Sequence, residues 1–262
     1  MRPSEPTTKR YLQYLPHLVT YIDIMGFRQL VERRSANFIS SAIRHVQQIT
    51  APNPHTNKHD GESYVNFSDL IVHTIPMNQN RPEGVVLAEI KYTAMVQAVL
   101  IEKGLLLRGA ITIGEIERSY GVLFGPGLIS AYELERDYAQ YSRIILDDPV
   151  IGLIKSKHSL RVLADCLRVD DDGLVFIDYL GFMRKVLNGE RSFHRFVNIH
   201  KRLIDRNLLN SRSDKRILSK YLWLRKYHNA IVRATIAKES QKRLLVNGLS
   251  GMVPSLTPDL ED

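Results

Sequence analysis

Two aspartates stand where short apolar strands end: Asp23 in Thr-Tyr-Ile-Asp-Ile-Met-Gly-Phe, and Asp69 in Tyr-Val-Asn-Phe-Ser-Asp-Leu-Ile-Val. An ionised carboxylate is costly to bury without a partner, so each asks for a counter-charge, and two convergent carboxylates are best satisfied by one shared cation. Singly, each also fits a capping or turn role, since Asp23 precedes a helix and Asp69 sits in a hairpin. As a pair they point to a metal–phosphate site. Arg108 adds a permanent cation in mid-strand beside Leu107, Gly109 and Ala110. It needs an anion, either a phosphate or an acidic side chain such as Glu115 or Glu117.

The pattern predicts the elements that would hold these residues. His17 to Ile24 reads as a buried strand stopped by Met25-Gly26, and apolar residues from Phe27 to Ile49 recur at helical spacing to about residue 50. Residues 63–75 form two apolar runs meeting at Phe67-Ser68-Asp69, a hairpin with the aspartate at its tip. A helix from about Glu83 to Lys103 ends at Gly104. Leu105 to Ile113 is then a strand, which Gly114 to Arg118 turns into a second around Tyr120 to Phe124. Gly125-Pro126-Gly127 opens a helix, Arg143 to Leu146 is a strand, and Asp170 to Gly173 turns into a last strand to Tyr179. Beyond about 190 the periodicity is wholly helical, near 191–210 and 214–240. The order implies an α/β sandwich (α+β) with a partly antiparallel sheet, and excludes a doubly wound one. Residues 1–14 read as a lead, 15–180 as the main domain, 181–247 as a helical extension packed on it and 248–262 as a loose tail.

The 262 residues are 44% hydrophobic and 24% charged, an ordinary globular composition. Cys166 is the only cysteine, which rules out an internal disulfide and a cysteine-based zinc site and suits a reducing compartment. The first residues lack the apolar stretch of a signal peptide, and no run approaches a membrane span, so a cytoplasmic chain is expected. A net charge of +8 favours an anionic partner, and basic clusters crowd the region after 180. Basic helix faces are commonly just solvated, so nucleic acid is not the expected partner. Histidines 55 and 59 have ligand spacing only on a helix, which Pro52, Pro54 and Asn57 argue against. The stretch Lys220 to Asn229, with the only tryptophan, reads as a packing helix.

Four segments, in order, resemble motifs of the class III nucleotide cyclases. Asp23-Ile24-Met25-Gly26-Phe27 is similar to their first-strand motif Asp-Ile-x-Gly-Phe, and Ser68-Asp69 to their hairpin motif. Leu107-Arg108-Gly109-Ala110-Ile111-Thr112-Ile113-Gly114-Glu115 is similar to Leu-Arg-x-Gly-Ile-x-x-Gly-Glu. Phe124 to Glu135 resembles aromatic-Gly-x-x-Val-Asn-x-Ala-x-Arg-Leu-Glu, but the asparagine and arginine positions hold Ile129 and Glu133. The adenine-reading lysine and aspartate positions hold Val65 and Val122. With no guanine-type glutamate at Val65, this combination looks like the pyrimidine cyclases of bacterial Pycsar anti-phage systems.

The resemblance implies a homodimer with shared sites that converts UTP, or CTP, to the 3′,5′-cyclic monophosphate and diphosphate. The product would be a second messenger for a separate cyclic-nucleotide-responsive effector. Two divalent ions, Mn²⁺ or Mg²⁺, would be held by Asp23, Asp69 and the carbonyl of Ile24. Gly26, Phe27 and Arg108 would contact phosphate, and Tyr64, Val65 and Val122 would surround the base. The alternatives are a cyclase-fold module that binds without turnover, favoured by Ile129 and Glu133, and a nucleic-acid-binding protein using the basic helices.

Overall fold

The computed structural model describes residues 12–50, 62–77, 80–119 and 121–246. Histidines 55 and 59, residues 1–11 of the expected lead, Tyr120 and the tail 248–262 lie outside the described residues. In order the elements are β1 (Leu15–Ile24), α1 (Phe27–Arg33), α2 (Ala36–Thr50), β2 (Ser63–Phe67), β3 (Leu70–Pro76), α3 (Pro82–Glu102), β4 (Leu107–Ser119) and β5 (Val122–Phe124). There follow α4 (Pro126–Asp137), β6 (Ile144–Leu146), α5 (Asp148–Leu153), α6 (Lys157–Val162), β7 (Leu167–Val169), β8 (Val175–Ile177), α7 (Tyr179–Val186), α8 (Gly189–Asn210), α9 (Lys215–Thr235) and α10 (Lys238–Leu244). The chain divides into two compact units, residues 1–185 and 186–262.

In the first unit the sheet runs β2-β3-β1-β4-β6-β8-β7, with β5 folded back on β4. Among the described residues only β4 and β6 run parallel, so the sheet is mixed and helix-flanked, as expected from the order. Register decides which residues share a face, because cross-strand partners point the same way. Asp23 pairs with Leu70 on β3 and Arg108 on β4, Tyr21 with Val72 and Ala110, and Val72 in turn with Val65. These residues share one face, covered by α4, where Val19, Ile116 and Ala131 form a buried cluster. Thr20 pairs with His73, which pairs with Tyr64, on the opposite face. There Thr20 donates to Glu89 of α3 at 2.6 Å.

Three expectations are corrected. The helix from Phe27 to 50 is two helices, because Arg34 adopts extended geometry and Ser35 Oγ accepts the Phe38 amide at 3.3 Å to start the second. Gly114 is not a turn: β4 continues to Ser119. Its missing side chain instead admits a neighbour, since a Cβ at Gly114 would lie 2.4 Å from the Gly127 Cα. This contact seats α4 on β4. Third, β7 and α7 were not foreseen, and the one helix expected between β6 and the last strand is two, α5 and α6; all are three to eight residues long, too short to show a period. Among the described residues α3 alone has the length and hydropathy of a membrane span, but 61% of its most apolar window is buried.

In the second unit α8 and α9 bury Phe193, Phe196, Val197, Leu203, Ile204, Leu224, Tyr227, Ile231 and Val232. Between them His200 and His228 are fully buried, their Nδ1 atoms 2.9 Å apart. His228 Nε2 lies 2.8 Å from the Leu244 carbonyl, which can only accept, so that nitrogen carries the proton. The His228 Nδ1 is then an acceptor, and His200 Nδ1–H must be the donor. Asn229 closes the unit by bonding both the Val246 amide and carbonyl.

Candidate active site

Asp23 reaches its position because β1 ends there, and Asp69 because β2 and β3 are joined by the two-residue turn Ser68-Asp69. Ser68 takes φ +58, the left-handed conformation that tight hairpins demand. The tip is tied to β1 by the Ile24 amide, which donates to the Asp69 carbonyl at 3.0 Å. The Met25 amide donates to the Leu106 carbonyl at 2.8 Å, fixing the chain just past Asp23. The two carboxyls are thereby neighbours. Burial pushes the Asp23 carboxyl pKa up, Arg108 pulls it down, and the adjacent Asp69 pushes it up again.

Arg108 Nε lies 2.9 Å from Asp23 Oδ2 and 2.8 Å from Glu135 Oε1. Its partners are therefore neither Glu115 nor Glu117, the acids nearest in sequence, but one carboxylate across the sheet and one on α4. Arg108 Nε donates to Asp23 Oδ2 with Glu135 Oε1 beside it as a second counter-charge, so Arg108 holds the Asp23 carboxyl in place. Glu135 is buried, as a carboxylate can be only with such a partner. Tyr21, two residues before Asp23 on the same face, stacks edge-on with Tyr132 of α4, ring centroids 5.9 Å apart. Burial first, then Glu135, Asp23, Tyr132 and Asp69, push its pKa up to about 12, so its hydroxyl keeps a proton to donate.

Asp23 and Glu135 share one guanidinium and Asp69 adjoins Asp23, leaving an excess of negative charge. Among the described residues no three metal-ligating side chains gather. Two hard carboxylates fit Mg²⁺ or Mn²⁺, which commonly take one or two protein carboxylates and fill the remaining positions with water and substrate phosphate. Gly26 precedes α1 with φ +78, a conformation suited to glycine, and Phe27 opens that seven-residue helix.

The base candidates separate. Val65 shares the Asp23 face and is 38% exposed, and next to it on that face Phe67 is 75% exposed. Tyr64 points from the opposite face, where its ring stacks on His73 at 3.7 Å between centroids. The expectation that Tyr64 meets the base is corrected: adjacent residues of a strand alternate faces. Val122 pairs with Ser119, eleven residues beyond Arg108 on β4. That is roughly 35 Å along the strand, so within one chain Val122 is remote from Asp23. On α4, Ile129 is 60% exposed and Glu133 is exposed, both pointing away from the Arg108–Glu135 contact.

Sequence reasoning missed Glu135, Tyr21 and Tyr132. The signal for Tyr21 was its period-two relation to Asp23. For Glu135 it was helical spacing with Leu128 and Ala131, which puts an acid on the buried stripe of α4.

The chain is similar in structure to the monomeric guanylyl cyclase domain of the RhoGC fusion protein from the aquatic fungus Blastocladiella emersonii, at 14% identity over 63% of this chain and 96% of that one, TM-score 0.45. It is also similar to the guanylyl cyclase Cya2, at 14% identity, 63% and 92% coverage and TM-score 0.41. A bacterial light-regulated adenylyl cyclase gives 14% identity, 67% and 100% coverage and TM-score 0.43. No protein-family model and no curated protein matches the chain.

Proposed function

We propose that the chain is a metal-dependent pyrimidine nucleotide cyclase, converting UTP or CTP to the 3′,5′-cyclic monophosphate and diphosphate as a signal in antiviral defence. The observation that carries the reading is the convergence of Asp23 and Asp69 at the joined ends of β1 and the β2–β3 hairpin. The four motifs that resemble the class III cyclases supply the rest.

Two divalent ions, when bound, acidify the 3′-hydroxyl and neutralise the triphosphate. Asp23 and Asp69 would hold them, with the Ile24 carbonyl, while Gly26 and Phe27 lie along the phosphates. Arg108, gripped by Glu135, keeps the Asp23 carboxyl oriented by its 2.9 Å contact. Tyr21 contributes a protonated hydroxyl beside the carboxylates. Val65 offers the base an apolar wall without the donor that adenine would need. A second copy of the chain is needed to bring Val122 near Asp23, and the exposed Phe67, Ile129 and Tyr132 give such a copy apolar surface on the Asp23 face.

The test is to incubate the chain with each ribonucleoside triphosphate and Mn²⁺ and to detect cyclic monophosphate by mass spectrometry. Cyclic UMP or cyclic CMP is expected, and Asp69→Ala should abolish it. No product from any triphosphate would overturn the proposal. Exposed Ile129 and Glu133, where the resembled cyclases carry asparagine and arginine, favour a second reading, a module that binds nucleotide without turnover. Triphosphate binding without product would establish it.

A further inference from the structure

The charge of the chain is segregated. Residues 1–185 hold 21 Lys and Arg against 21 Asp and Glu, whereas residues 186–262 hold 15 against 7, so the entire +8 belongs to the second unit. Within its described helices the basic side chains are ordered. On α8, Arg191, Arg195, Arg202 and Arg206 are all exposed. At 100° per residue they fall within about 60° of one another, a single stripe about 22 Å long. Phe193, Phe196, Val197, His200, Leu203 and Ile204 fill the opposite side of the helix.

A merely solvated helix face mixes signs and gains from acid–base pairs four residues apart. This stripe does the reverse. Arg191 faces Arg195 and Arg202 faces Arg206 at that spacing, a repulsive arrangement. None of the four makes a hydrogen bond or ion pair among the described residues. Of the acids of α8, Asp205 at the edge of the stripe is taken by Lys201 at 2.5 Å, and Glu190 lies at the first turn. All four residues are arginine, whose planar fork matches phosphate oxygens in pairs.

We propose that the Arg191–Arg195–Arg202–Arg206 stripe binds the phosphate backbone of nucleic acid without regard to sequence. A duplex strand presents a phosphate every 3.4 Å of axis, so about six fall along a stripe of this length. An acidic protein surface offers no such line of unbroken negative charge. A helix lying on a membrane presents a whole apolar face beside its basic residues, whereas among the large apolar side chains of α8 only Leu209, 56% exposed, stands open next to the arginines.

The experiment is fluorescence anisotropy of the full chain with labelled duplex DNA, duplex RNA and single-stranded RNA, from about 50 to 200 mM salt. Binding should weaken with a log–log salt slope that includes about 3 to 4 units from the four arginines. Replacing all four by Gln should remove those units and weaken binding about tenfold or more, while replacement by Lys retains most of the slope. A charge-matched variant of the first unit, Lys103→Gln, Lys155→Gln, Lys157→Gln and Arg161→Gln, should bind as the parent does. Helical circular dichroism confirms that the variants are folded. Absence of binding to every nucleic acid, equal loss in the charge-matched variant, or binding only to vesicles containing anionic phospholipid would each overturn the proposal.

Discussion

Asp23 and Arg108 face each other across adjacent antiparallel strands, and the 2.9 Å contact between them is shared with Glu135 from the helix above. One guanidinium thereby ties β1, β4 and α4 together at the point where the cyclase chemistry is proposed. Glu135→Gln leaves that cation half-satisfied in a mostly buried setting and should cost about 2–4 kcal/mol, measured by urea unfolding. Its effect on turnover should exceed its effect on substrate affinity, because it loosens Asp23 rather than a substrate contact. Unchanged stability would mean that Asp23 alone suffices as partner.

Register predicts a division of labour between neighbours on β2. Val65→Lys combined with Val122→Asp should confer activity on ATP without loss of stability, since both positions are exposed. Tyr64→Ala should do the opposite, lowering the melting temperature through lost packing on His73 while leaving base preference unchanged. Product analysis with the four triphosphates, beside thermal melts, separates the two.

Gly114→Ala places a methyl group against the Gly127 backbone and must lift α4 from β4. A cost of about 1–3 kcal/mol or more is expected, together with loss of activity, because Glu135 and Tyr132 move with the helix. Gly173→Ala, in an open turn with φ +83, should be milder for activity although its backbone is strained.

Two histidine sites set opposite pH limits. Burial pulls the His228 pKa down to about 4 and drives that of His200 well below its ordinary value, with each other's proximity adding to the latter. Stability from keeping this pair neutral is complete above pH 6.5 and is lost as pH falls toward 4, about 3 kcal/mol for His228. Burial also opposes charge on His73, but Glu89 and Glu62 outweigh it and hold the pKa near 9. That contribution is present below pH 6.5 and disappears as pH rises through about 9. Unfolding followed by circular dichroism should show stability falling on both flanks, with His228→Phe removing part of the acid flank and His73→Gln the alkaline one.

The Asp23 and Asp69 termini were legible because an acid at the end of an apolar run is rare and the hairpin turn is short. What the residues could not reveal was face. Whether Tyr64 or Val65 joins Asp23 depends on how β2, β3 and β1 align, a relation between segments distant in sequence. Gly114 misled for a similar reason: glycine serves turns and close approaches alike, and only the partner, Gly127, distinguishes them. Arg108 was visible as a cation wanting an anion, yet its partner Glu135 lies 27 residues on and is brought back by α4.

Val65 sits on a partly open strand and Val122 on a short arm, neither in the core. Mutation there should cost little in folding, whereas Asp23, Arg108 and Glu135 contact one another and a change in one is felt by the others. If the proposed function holds, such a layout lets substrate preference drift quickly among descendants while the proposed reactive centre stays fixed. A lineage could explore new bases by single steps, each intermediate remaining a folded protein.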